Sequence, residues 1–162
     1  MSASAERMQL EQAIRADFSN GSLHYLLGAD YAQTGEYDRA ISEIALALEL
    51  DPNLHTARFQ LGLLHLTLGQ PDTSLAVWAP LESQPDEALR RFKRGLEALI
   101  HNDAAACLAE LEVGIALNTS NAPLNGDMQM MIAKVREHFE QPAPGPAEDQ
   151  PIRTDFSAYE SN

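Results

Sequence analysis

GADYAQTGEYDRAISEIALALELDP, residues 28–52, decides how this chain folds. Gly35 interrupts two runs of helical periodicity, and Tyr31 and Tyr37 bracket the interruption. Asp51-Pro52 closes the second run, as a helix stop does. That run places Ala40, Ile41, Ile44, Ala47 and Leu48 three and four apart, which is one apolar stripe on a helix. Ala40 is small enough to let a second helix approach closely. The stretch therefore reads as two antiparallel helices joined by a tight turn. One such hairpin cannot bury its own apolar face, so the fold requires further copies. They are present: Gly28, Gly35, Ala40 and Ala47 are followed 34 positions later by Gly62, Gly69, Ser74 and Leu81. Another 33 positions on come Gly95, Asn102, Cys107 and Gly114.

The first full unit spans about residues 21–54, with Ser22 as the expected N-cap and Leu23, Leu26 and Leu27 on the core side. The second spans about 55–87. Its Pro71 falls in the first turn of a helix, where no hydrogen bond is lost, whereas Pro80 lies well inside and predicts a bend near Ala79. The third spans about 88–121, with Asn102-Asp103 making the turn that Gly35 and Gly69 make earlier. Residues 6–17 align with the second half of a unit, Ala13 on Ala47 and Asp17 on Asp51. An amphipathic helix follows over about 123–139, with Leu124, Met128, Met131, Ile132, Val135 and Phe139 on one face. It is expected to cap the stack. From Gln141 the composition turns to QPAPGPAEDQP, an extended Pro-rich segment carrying Ile152, Phe156 and Tyr159 beyond it. The expected organisation is a helical domain over 1–140 and a tail over 141–162.

In its Leu27, Gly28, Tyr31, Ala40, Ile44, Ala47 and Pro52, the first unit resembles the tetratricopeptide repeat family, with His24 where a tryptophan is commonest. The second unit keeps Leu61, Gly62, Gly69, Trp78 and Leu81, and the third keeps Gly95, Ala98, Cys107, Leu111 and Gly114. The resemblance implies an all-α, right-handed superhelix of antiparallel helix pairs: half a repeat, three repeats and a capping helix. It departs in the third unit, where Arg91 and Arg94 occupy usually apolar positions. That predicts a first helix rotated about its axis or set at a different angle.

The resemblance also implies a concave groove lined by the first helix of each repeat. Its positions hold Tyr25, Ala29, Ala32 and Gln33, then Phe59, Leu63, Leu66 and Thr67, then Phe92, Leu96, Leu99 and Ile100. So apolar a wall is expected to be covered, either by the protein's own helices or by a peptide or helix of a partner protein. Relatives that capture a C-terminal carboxylate place Lys, Arg and Asn at these positions, because the anion needs several donors converging on it. This chain has none there, which argues against that subclass. The basic cluster Arg90, Arg91, Lys93 and Arg94 reads either as a contact for an acidic peptide or as a solvated helix face.

Charge narrows the partners. Twenty-four acidic against eleven basic residues give a net charge of -13, which repels nucleic acid and anionic lipid surfaces. Neither a signal-peptide core in the first twenty residues nor an apolar run of membrane-spanning length is visible, which predicts a cytoplasmic protein. The single cysteine, Cys107, occupies a helix-crossing position and reads as a small buried thiol. His24, His55, His65, His101 and His138 are scattered, without the spacing of a metal site. With no nucleophile, phosphate loop or paired carboxylates, the expected function is non-enzymatic protein binding without cofactor or metal. Two alternatives stand beside an adaptor. One is a chaperone similar to the type III secretion chaperones of this fold. The other is a self-associating subunit, a homodimer for instance, with the tail in the groove.

Overall fold

In the computed structural model, which describes residues 2–140, every regular element is helical and no strand occurs among those residues. The chain divides into two compact units at Trp78/Ala79. The expected tail, residues 141–162, lies outside the described residues.

The first unit contains α1 (Ala3–Ala16), α2 (Gly21–Gln33), α3 (Tyr37–Leu50), α4 (His55–Thr67) and α5 (Pro71–Trp78). The hairpin pair α2/α3 is joined as the sequence requires. Gly35 has φ 77°, in the left-handed region that lets the chain reverse after a helix without a side-chain clash. Gly69 does the same between α4 and α5, at φ 72°. The helices then meet at glycine. A Cβ built on Gly28 would lie 2.5 Å from Ile44 Cγ1 and 3.1 Å from the Ala40 carbonyl oxygen, and one on Gly62 would lie 2.0 Å from Trp78 Nε1. Ala40, Ile44, Leu48, Ala57, Leu61 and Leu64 make one buried cluster of α3 and α4. Each such leucine or isoleucine removed from water contributes about 1.5–3 kcal/mol.

Two details of α2 differ from expectation. The N-cap is Asn20, whose side-chain oxygen accepts from the Leu23 amide at 3.4 Å; Ser22 is already inside the helix. Leu26, although it stands three positions after Leu23 and next to Leu27, is 49% exposed rather than on the core side. His24 is buried in place of the commoner tryptophan. Its Nε2 donates to the Phe18 carbonyl at 2.9 Å and its Nδ1 lies 2.7 Å from Glu43 Oε2, so both ring nitrogens are satisfied across α2 and α3.

The second unit begins where Pro80 ends α5. The chain tightens into a 3₁₀ turn, Ala79–Ser83, that sends Leu81 inward, as the bend expected near Ala79 requires. Then come α6 (Glu87–Ile100), α7 (Ala104–Leu117) and α8 (Ala122–Glu140). Asp86 and Asp103 cap α6 and α7, accepting from Leu89 and Ala106 amides at 3.0 and 2.9 Å. Asn102 takes the left-handed turn conformation, φ 60°, that glycine takes in the other two hairpins. Gly95 meets Leu111 and the Cys107 carbonyl as Gly28 meets Ile44 and the Ala40 carbonyl. α6 thus keeps the shared glycine contact with its hairpin partner. On α8, Leu124, Met128, Met131, Ile132 and Val135 are buried, while Phe139 is 47% exposed.

Candidate partner-binding site

The residues expected to line an inner wall separate into two groups once their burial is known. Phe59, Leu66, Phe92, Leu96 and Leu99 are buried, at 4% exposure or less. Tyr25, Ala29 and Leu63 are half-buried and Gln33 is exposed. Of the two covers expected for this wall, the protein's own packing is the one over Phe59, Leu66, Phe92, Leu96 and Leu99. Within the first unit the Phe59 ring stacks on Trp78, centroids 5.8 Å apart, and the Trp78 Nε1–H donates to the Phe59 carbonyl at 2.9 Å. In the second, the Phe92 ring lies on Gly114, where a Cβ would come within 2.6 Å of it. Aromatic rings this confined are core.

The basic cluster is engaged as well. Arg90 donates to the Gln84 carbonyl, and Arg91 to Glu87 at 3.3 Å and Glu110 at 3.1 Å. Lys93 lies 3.0 Å from Glu82 and 2.8 Å from Glu97, and Arg94 also pairs with Glu82. These four cations fasten the 3₁₀ turn and α7 to α6. An acidic peptide would have to displace an intramolecular acceptor from each of them. Arg94 and Lys93 together hold the Glu82 carboxyl at about 2, far below the ordinary carboxylate range.

What stays accessible lies in the first unit, between α1 and α2. Glu6, Leu10, Leu26, Ala29 and Gln33 line a cavity of about 440 Å³ there, together with Gln9 and Asp30. Two of the expected wall residues, Ala29 and Gln33, belong to it. α1 is held beside the cleft by Arg7. Its Nε donates to Asp30 at 2.5 Å, its Nη atoms reach Glu36 at 2.8 Å and Thr34 Oγ1 at 2.9 Å, and the guanidinium sits 4.6 Å from the centre of the Tyr31 ring. Nothing in the sequence marks Arg7, since a lone arginine on a short helix looks like any solvated charge. Its acceptors are Asp30, near the end of α2, and Glu36, in the turn before α3, and only the fold brings them within reach.

The cleft offers apolar surface with acidic and amide edges, the chemistry of polypeptide docking. Reactive groups point elsewhere. Cys107 is buried, and desolvation pushes its thiol up to about 11, away from the thiolate that a nucleophile needs. Among the described residues no group of three His, Cys, Asp or Glu side chains stands close enough to hold a metal. No helix among them is long and apolar enough to cross a membrane.

A family model described as tetratricopeptide repeat matches residues 21–54, the span that holds α2 and α3. Residues 21–54 form a tetratricopeptide repeat. No curated protein matches the chain by sequence. Among solved structures it is similar to a MamA described as the RS-1 ArsTM double mutant, at 20% identity and a TM-score of 0.57, covering 86% of this chain and 82% of that one. It is equally similar to MamA 41-end from Desulfovibrio magneticus RS-1, at the same identity and score, covering 86% and 83%. These likenesses extend the tetratricopeptide-type helical fold beyond the matched repeat. The candidate site adjoins that repeat, since α2 is its first helix.

Proposed function

We propose that this protein is a non-enzymatic scaffold that binds a helix or peptide of another polypeptide at the α1/α2 cleft. The observation that carries this reading is the cavity of about 440 Å³ lined by Leu10, Leu26, Ala29 and Gln33, where two expected wall positions remain open while Phe59, Leu66, Phe92, Leu96 and Leu99 are core. Its acidic edge, Glu6, disfavours a partner segment that would place an acid against it. A preordered helical surface lowers the entropy that such a segment loses on docking. The single thiol, Cys107, agrees with a reducing compartment, and the reading places the protein in the cytoplasm.

Affinity capture with the intact chain and an Ala29→Glu variant tests this. At least one polypeptide should be retained by the intact chain and lost by the variant, with both unfolding at the same temperature. Identical retained sets would contradict the reading.

A further inference from the structure

The cleft has a counterpart at the other end of the described chain. Glu6, Leu10 and Ala13 of α1 stand 34 positions before Ala40, Ile44 and Ala47. In α3, Ala40 and Ile44 are the residues against which Gly28 of the hairpin partner rests. In α1 their equivalents, Glu6 and Leu10, face the cavity. α1 is thus a second-type hairpin helix whose first-type partner is missing among the described residues.

α8 shows the converse. Phe92, Gly95, Leu96 and Leu99, on the α6 face that packs in its hairpin, are buried. Their equivalents 34 positions on are Gly126, Gln129, Met130 and Ala133, and all four are exposed, Met130 by 46%. A Cβ built on Gly126, in register with Phe92, would meet nothing within 4 Å, so no helix among the described residues covers this face, and Gln129 stands in register with Gly95. α8 is a first-type hairpin helix without its second-type partner among the described residues. Charge does not oppose the match at the four exposed positions, because Gly126, Gln129, Met130 and Ala133 include no acid to face Glu6, and Asp30 is already paired with Arg7.

We propose that α8 of a second copy of this chain is the occupant of the α1/α2 cleft, so that α8 of one copy and α1 of the next complete one hairpin. This rests on the proposed binding role of the cleft and names its partner. The contact is heterologous: the cleft and the exposed α8 face are different surfaces of the chain, so the assembly grows head to tail.

The test uses two surface variants of the full chain, Leu26→Glu, which blocks the cleft, and Met130→Glu, which blocks α8. Both positions are nearly half exposed, so the fold tolerates them, and circular dichroism verifies it. In sedimentation velocity the unmodified chain should gain mass with concentration beyond a dimer. Each variant should associate at least about tenfold more weakly. Mixed together, the two should form a 1:1 heterodimer and nothing larger, because one vacant cleft and one vacant α8 remain between them. A constant monomer mass for the unmodified chain, or no heterodimer in the mixture, overturns the proposal. If the chain is monomeric yet a captured polypeptide is still lost with Ala29→Glu, self-assembly fails while the scaffold reading survives. If that capture fails too, both fall.

Discussion

At the scale of single residues, three glycines in three settings should respond differently to the same change. Gly28 lies under Ile44, so Gly28→Ala forces a methyl into a contact of 2.5 Å and should destabilise by about 1–3 kcal/mol. Gly35 has open space around a would-be Cβ but a positive φ, so Gly35→Ala should cost about 1–2 kcal/mol through backbone strain alone. Gly126 has neither restraint and lies inside α8, so Gly126→Ala should stabilise by about 0.5–1 kcal/mol. Urea unfolding of the three variants checks all three signs. The first two were legible in the sequence, since spacing alone assigned Gly28 to a helix contact and Gly35 to a turn. The N-cap was not, because Asn20, Ser19 and Ser22 are all good caps, and only the course of the backbone chooses Asn20.

At the scale of elements, the 3₁₀ turn after α5 depends on Glu82, which pairs with Lys93 and Arg94 of α6. Its carboxyl is held at about 2 in the folded protein. Its contribution is therefore fully present above the ordinary carboxylate value and disappears as pH falls through about 2. Glu82→Gln should lower stability by less than about 1 kcal/mol at neutral pH, the pair being partly exposed, and the difference from the unmodified protein should vanish towards pH 2. Chemical unfolding across that range measures it. For α1, Arg7→Met should leave the overall transition in place but raise amide exchange along Ala3–Ala16, since only Ile14 of this helix is buried. Uniform protection in the variant would show that Arg7 does not hold the helix. The buried wall shows where sequence reading stops at this scale. Phe59, Leu66, Phe92 and Leu96 have the same apolarity whether they face a partner or their own core. Periodicity assigns a stripe to a helix without saying which neighbour covers it. Trp78 was the available clue: a ring that large, 19 residues after Phe59, needs a buried partner for its face and an acceptor for its Nε1–H, and Phe59 supplies both.

At the scale of the whole molecule, the repeat spacing foretold the hairpins, their turns and the bend at Pro80. It also aligned residues 6–17 with half a hairpin, which is why the accessible site lies beside α1 rather than along the expected wall. The acidity of the chain, -13 overall, bears on association more than on fold. Two copies repel at long range, so raising salt from about 20 to 150 mM should strengthen head-to-tail assembly, and weakening would mean that attractive charge pairs drive the contact. Sedimentation at the two ionic strengths separates these outcomes. The binding role itself is tested most directly by photo-crosslinking the full chain in its cell, with the reactive side chain placed either at Ala29 in the cleft or at Ser42 on the polar, exposed face of α3. The account predicts a discrete adduct to another polypeptide chain from position 29 and none from position 42. Equal adducts from both, or none from position 29, would contradict it.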